Sequence, residues 1–404
     1  MRTYPSQQPA GTLRVDTGRG VTAARGFRAA GTAAGFKDSG GPDLALVVND
    51  GPQHHVAAVY TTNRISAAPV QWSKAVTADG RAAAVVLNSG GANACTGLEG
   101  FQASHRTAEL VGEAIGAGAG DVVVCSTGLI GLQLPMDVME RGLPEVVAAL
   151  GGDVENGAAA ARAIMTTDSV SKQAAYVRDG WTVGGMAKGA GMLAPGLATM
   201  LVVLTTDAEL SSDALQWALE DAVKVTFNRT DSDGCMSTND TVVLLGSGAS
   251  GVTPDEFEFS QAVTAVCHSL AQQLITDAEG ASHDIEITTV HAVTEKQAED
   301  VSRSVARSNL FKAAIYGNDP NWGRVLSAVG TTDAAFDPDR LDVTINGVTV
   351  CRNGAIGDPR EGVDLAADRR VTVLIDLKAG DADATVWTND LTHDYVEENS
   401  AYSS

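Results

Sequence analysis

The chain has 404 residues, 44% of them hydrophobic but only 5% aromatic, with 43 glycines and a formal net charge of −22. That length exceeds one ordinary core and predicts two domains, meeting near residue 200 if they are equal. The acidic balance argues against nucleic acid and anionic membranes as partners and suits a protein with small-molecule substrates. Cys95, Cys125, Cys235, Cys267 and Cys351 are scattered, and none forms a C-x-x-C pair. A disulfide framework or zinc site is therefore not expected, and a reducing compartment is. The N-terminal residues have no apolar leader-like core, and no run approaches the roughly 18 apolar residues of a membrane span. A cytoplasmic location follows as the expectation.

The first predicted strands are Leu44–Asn49 and Val56–Thr61, read as a pair across a polar turn containing His54 and His55. Ala82–Asn88 is a third strand. It runs into the Gly-punctuated loop Asn88–Gly97 and then a helix from about Phe101 to Ile115. The loop lacks G-x-x-x-x-G-K-[ST] spacing and is not a P-loop. Asp121–Cys125 is a strand that delivers Ser126, Thr127 and Gly128, hydroxyls and backbone N–H groups of the kind an oxyanion site needs. Helices follow near Met136–Leu150 and Gly157–Met165, and then the polar cluster Thr166-Thr167-Asp168.

The stretch Met186–Asp207 is the centre of the chain. Its first half is small and permissive, from Lys188 to Gly196; its second, Met200–Leu204, is a continuous apolar run that reads as a buried strand. Thr199 stands just before that strand. Ser211–Phe227 is a helix. Residues 231–241 superficially resemble a calcium loop, but Cys235, Met236 and Val242 occupy positions where ligands and the loop glycine are needed. Val242–Gly246 is a strand, Asp255–Ile275 a long helix, His283–Val293 a strand and Glu295–Asn309 a helix. Asn346-Gly347 marks a hairpin between Val343–Ile345 and Val348–Val350. Val371–Leu377 and Ala384–Trp387 read as a second antiparallel pair, before a polar tail.

Seven segments in this order carry a resemblance: NSGGANACTG at Asn88–Gly97, STGLIG at Ser126–Gly131, MTTD at Met165–Asp168, KGAGMLAPGLATML at Lys188–Leu201, DAEG at Asp277–Gly280, GNDPNWGR at Gly317–Arg324, and YVEENSAYSS at the end. The chain resembles the ornithine acetyltransferase (glutamate N-acetyltransferase) family of arginine biosynthesis, from about Gly20 to Ser404. Gly91 departs from the polar residue expected at that position.

The resemblance implies a self-processing enzyme of the N-terminal-nucleophile kind, cut between Ala198 and Thr199 into an alpha chain, 1–198, and a beta chain, 199–404. Thr199 then carries a hydroxyl and a new α-amino group. An α-amino group titrates near pH 7.7–8.0, so it can serve as the base that a hydroxyl nucleophile needs. Thr127 and Gly128 are implied as the oxyanion hole. Thr166, Lys188, Glu279, Asn399 and Ser404 are implied as substrate contacts, with Thr167 a near alternative to Thr166. Within that set Lys188 suits a substrate carboxylate and Glu279 a distal ammonium. The implied substrates are N-acetyl-L-ornithine and L-glutamate, with no cofactor and no metal, in an assembly of two alpha and two beta chains. Acetyl-CoA as a further donor is left open. The alternative is a self-processed amidohydrolase or aminopeptidase with the same nucleophile, and a non-catalytic binding protein ranks third. Alternating strands and helices with hairpin signals predict α+β layers with mixed and antiparallel sheets, not a doubly wound parallel sheet.

Overall fold

The structure is a computed structural model that describes residues 13–178, 180–194 and 200–401. The chain divides into two compact units. The first comprises Met1–Ala190, Gly196–Asn228 and Met236–Leu274, and the second Gly191–Pro195, Arg229–Cys235 and Ile275–Ser404. The units are unequal because the first continues well beyond residue 200.

The first unit contains, in chain order, β1 (Phe27–Thr32), β2 (Leu44–Asn49), β3 (His55–Tyr60), α1 (Ala68–Val76), β4 (Ala84–Ser89), α2 (Gly97–Ile115), β5 (Val122–Thr127), α3 (Met136–Ala148), α4 (Val154–Ala163), β6 (Lys172–Val177), β7 (Thr182–Lys188), β8 (Leu201–Thr206), α5 (Ser212–Val225), β9 (Thr241–Gly246) and most of α6 (Glu256–Thr276). One sheet has the order β1-β2-β4-β5 and the other β3-β9-β8-β7-β6. Each has one parallel pair, β4 with β5 and β8 with β9, among antiparallel neighbours. The sheets face each other. Val47, Val85, Leu87 and Val123 of the first pack with Met186, Leu201, Val203, Val243 and Leu245 of the second.

Side chains alternate along each strand, so Leu46, Val86 and Val124 point the other way. They pack there against Val111 of α2 and Met139 and Leu143 of α3. Both faces of these strands are therefore covered, which explains why they read as continuous apolar runs. Tight packing continues on the outer face of the five-stranded sheet: a Cβ on Gly185 would lie 2.5 Å from Leu204 and 3.2 Å from Leu270 of α6.

The second unit is a six-stranded sheet with helices on one face. Its elements are β10 (Asp284–Ala292), α7 (Glu295–Ala306), α8 (Asn309–Tyr316), α9 (Trp322–Val329), β11 (Asp342–Ile345), β12 (Val348–Arg352), β13 (Ala355–Ile356), β14 (Arg370–Asp376), β15 (Ala382–Asn389) and α10 (His393–Ala401). The strand order is β13-β12-β11-β14-β10-β15. Ile285 and Ile287 of β10 point into a core with Val301 and Val305 of α7, Phe311 of α8 and Val329 of α9. The intervening β10 residues are half-buried, the alternation expected of a sheet covered on one face.

The α+β class with mixed sheets is as expected, but two pairings differ. β2 and β3 are not partners, because β2 belongs to the four-stranded sheet and β3 to the five-stranded one. The short turn between them crosses from one sheet to the other. β14 and β15 are separated by β10, which pairs parallel to β14 and antiparallel to β15. The Asn346-Gly347 hairpin forms as read, with φ of 44° and 83° at its two turn residues.

Candidate active site

In the first unit the site is built where strands end. β4 and β5 finish in register, Ser89 opposite Thr127. The N–H groups of Gly90 and Gly91 then both donate to the Thr127 carbonyl, at 2.9 and 3.0 Å. This turn crowds the next residue. Gly128 has φ of 130°, and a Cβ there would meet Gly91 N at 2.6 Å, so only glycine fits. Asn88 ties the two strand ends together. Its side chain donates to the Gly91 carbonyl at 3.1 Å and accepts from the Ser126 hydroxyl at 2.6 Å.

Lys188 ends β7 and is 1% exposed. Its ammonium donates to the Thr166 hydroxyl at 2.8 Å and lies 3.4 Å from the Thr127 hydroxyl. Asp168 sits behind it, 3.8 Å from Lys188 and 2.7 Å from the fully buried Lys172. The Asp168 carboxylate also accepts the N–H groups of Gly189 at 2.7 Å and Thr166 at 2.9 Å. Burial pushes this carboxyl up, but Lys188 and Lys172 outweigh it and hold Asp168 at about 2.

Close by, Lys37 donates to the Met165 carbonyl at 2.7 Å, and burial lowers its pKa. Asp43 accepts four successive backbone N–H groups, from Ala34 to Lys37. Lys188, Lys172 and Lys37 thus gather around Asp168 and Asp43. Of these, Lys188 is the ammonium placed among hydroxyls. That arrangement can hold a carboxylate or stabilise a developing oxyanion.

The sequence brings Thr127, Gly128, Thr166 and Lys188 together in this unit. Ala198 and Thr199 lie outside the described residues, as does Ser404. What sequence reasoning missed is the entry to β9. Asn239 donates to the carbonyls of Ala92 at 2.6 Å and Ser126 at 2.9 Å, binding the start of β9 to the Thr127 loop. Asp240 is fully buried and accepts the Met200 N–H at 3.1 Å. No local signal marks these two residues, because their place follows from β9 lying parallel to β8.

The second unit holds the other candidates. Glu279 follows α6, and its carboxylate occupies the space where a Gly191 side chain would stand, 2.5 Å from that Cβ position. Asn399 of α10 donates to Glu279 at 2.9 Å and to the Tyr395 carbonyl at 2.9 Å. Residues His393–Ala401 of the tail form α10, anchored just before its start, where the Thr392 hydroxyl donates to the Gly280 carbonyl at 2.6 Å. The loop that resembled a calcium site serves protein groups. Asp231 takes Arg303 at 3.1 Å and Arg307 at 2.8 Å, and Asp233 takes the Met192 N–H at 2.7 Å. The GNDPNWGR segment forms the turn after α8 and the first residues of α9, where Arg324 donates to the Leu310 carbonyl.

The model of the ArgJ family matches residues 28–404. The chain belongs to the ArgJ family. It is accordingly an acyltransferase of arginine biosynthesis. The arginine biosynthesis bifunctional protein ArgJ of Streptomyces coelicolor is 64% identical over 385 residues, covering 95% of this chain and 100% of that protein. The protein of the same name from Mycobacterium tuberculosis is 53% identical over 401 residues, 98% of this chain and 99% of that one. A solved structure of ornithine acetyltransferase complexed with ornithine, also from Mycobacterium tuberculosis, aligns with 54% identity and a TM-score of 0.45. It covers 47% of this chain and 100% of that chain. No helix among the described residues is long and apolar enough to cross a membrane.

Proposed function

We propose that the chain cuts itself between Ala198 and Thr199 and then moves acetyl from N-acetyl-L-ornithine to L-glutamate through an acetyl-Thr199 enzyme. The observation that carries this reading is the buried Lys188 ammonium, held on the hydroxyls of Thr166 and Thr127 where β5 and β7 end. In the first half-reaction the Thr199 hydroxyl attacks the acetyl carbonyl of the donor while the Thr199 α-amine takes the hydroxyl proton. Negative charge on the former carbonyl oxygen is met by Thr127 and Gly128. The tetrahedral species collapses by breaking the C–N bond, and the α-ammonium returns the proton to the leaving ornithine amine. In the second half-reaction the glutamate amine attacks the acetyl ester by the same path in reverse.

Lys188 binds the α-carboxylate common to both amino acids, with Thr166 fixing its ammonium. Glu279 takes the distal ammonium of ornithine, and Asn399 and Ser404 complete that contact. The working form we propose is two alpha and two beta chains in the cytoplasm.

The test is Thr199→Ala. The wild type should run as two fragments on a denaturing gel, the second beginning Thr-Met-Leu. The variant should stay whole, transfer no acetyl and carry no acetyl adduct by intact mass. Efficient cleavage of the variant would sink the self-processing step. Acetate release that does not depend on glutamate would favour the amidohydrolase instead. Running the wild type with acetyl-CoA in place of acetylornithine decides whether it accepts a second donor, and native mass spectrometry decides the assembly.

A further inference from the structure

In the second unit two connections lie against each other where Glu279 and Asn399 are presented. The link from α6 to β10, residues 277–283, carries Glu279; the link from β15 to α10, residues 390–392, leads to Asn399. The two groups meet, the Asn399 amide donating to the Glu279 carboxylate at 2.9 Å. Neither link belongs to a helix or strand, so side chains must set how they meet.

Asp390 makes most of that junction. Its side chain is fully buried and binds two consecutive residues of the other link. Oδ1 accepts the N–H groups of Ser282 and His283, each at 3.0 Å. Oδ2 accepts the Ser282 hydroxyl and faces His283 Nδ1 at 2.8 Å. His283 Nε2 lies 3.3 Å from the Leu365 carbonyl oxygen, so the imidazole ties the pair to the loop before β14. Neighbours of Asp390 extend the junction. Asn389 donates to the carbonyls of Ile275 at 2.9 Å and His283 at 3.2 Å. The Thr392 hydroxyl holds the Gly280 carbonyl and accepts the Tyr395 N–H at 3.0 Å, in the first turn of α10. Residues 389–392 thus grip the Glu279 turn on both sides, at Ile275 before it and at Gly280, Ser282 and His283 after it. A binding carboxylate on a turn keeps its aim only if the groups behind it are locked in this way.

We propose that Asp390 is a positioning residue for ornithine recognition: through Ser282 and His283 it holds the turn that aims Glu279, beside Asn399, at the distal ammonium. This rests on the Glu279 assignment above. Acetylornithine carries that ammonium and glutamate carries none, so loosening the turn should weaken one substrate and spare the other.

Asp390→Asn keeps an acceptor for the two N–H groups, but its second atom becomes a donor and can no longer accept the Ser282 hydroxyl proton. Ser282→Ala removes the same bond and leaves the carboxylate in place. Both variants should fold and self-cleave. Asp390→Asn should raise KM for acetylornithine about tenfold, the size of one hydrogen bond to a charged group, and Ser282→Ala should raise it too. kcat and KM for glutamate should stay near their wild-type values. A purely structural role has a different signature: lower stability and less active enzyme, so that kcat falls and both KM values hold.

The experiment measures kcat, both KM values and thermal melting by circular dichroism. It compares the wild type, Asp390→Asn, Ser282→Ala, Glu279→Gln and each of the first two variants combined with Glu279→Gln. If Asp390 acts through Glu279, the double variants should match Glu279→Gln alone, because residues that act as one unit are not additive. Additive effects on KM overturn the proposal. So does an unchanged KM for acetylornithine in the folded variants, or an equal rise for glutamate. If Asp390→Asn does not fold, Ser282→Ala and its double variant decide. Glu279→Gln with an unchanged KM for acetylornithine would instead overturn the underlying Glu279 assignment.

Discussion

At the scale of single residues, Asp168 is the counter-charge that allows two ammonium groups to be buried beside it. Lys172 is fully covered and Lys188 nearly so, and Asp168 pairs with both. Removing one partner of such a cluster leaves uncompensated buried charge, so Asp168→Asn should lower stability at neutral pH by about 3–5 kcal/mol. The acid dependence has a definite sign. Asp168 lies below its usual 3.8, at about 2, in the folded chain. Its contribution is therefore present above the unfolded value and lost as pH falls through the folded one, amounting to about 2 kcal/mol. Denaturant titrations of wild type and variant across that acidic window test this. Parallel curves would show that Asp168 is not the linked group.

The Lys188, Thr127 and Thr166 grouping was legible through the family resemblance carried by STGLIG, MTTD and KGAGMLAPGLATML, not through composition. Asp240 and Asn239 were not, because their importance comes from β9 lying parallel to β8. Nothing in local sequence declares that pairing.

At the scale of elements, strands with two covered faces announced themselves as unbroken apolar runs. β6 and β7 did not. β7 carries Gly184 and Gly185, which offer no β-branched side chain to read, yet a Cβ at Gly184 would lie 2.3 Å from the Gly20 carbonyl oxygen. Close backbone approach replaced side-chain packing there. Partner choice was equally hidden: β14 and β15 are consecutive, but β10 arrives from earlier in the chain to separate them.

The tail reads as polar and terminal, and its described part forms α10. A Cβ on Gly280 would meet Tyr395 N at 2.1 Å, so glycine at 280 lets the helix start lie directly on the DAEG turn. That anchor lies before Asn399. Deleting Asn399–Ser404 should therefore leave the start of the helix and self-cleavage intact. It removes the Asn399 bond to Glu279 and should raise KM for acetylornithine roughly tenfold, the size of one hydrogen bond to a charged group. Cleavage and transfer measured on the same truncated preparation decide it, and unchanged transfer kinetics would remove Asn399 and Ser404 from the site.

At the scale of the whole molecule, the five-stranded sheet has a consequence for how the mature protein returns from denaturant. Its order is β3-β9-β8-β7-β6, and the proposed scission point lies between β7 and β8, which are hydrogen-bonded neighbours. β3, β6 and β7 would belong to one product and β8 and β9 to the other, with Met186, Val203 and Val243 sharing one core. Before the cut, folding is unimolecular. After it, the same sheet is a bimolecular complex whose midpoint depends on protein concentration by mass action. Refolding of the cut wild type should slow on dilution, whereas uncut Thr199→Ala should refold at a rate independent of concentration. The single cut would change the kinetic order of assembly without moving a strand.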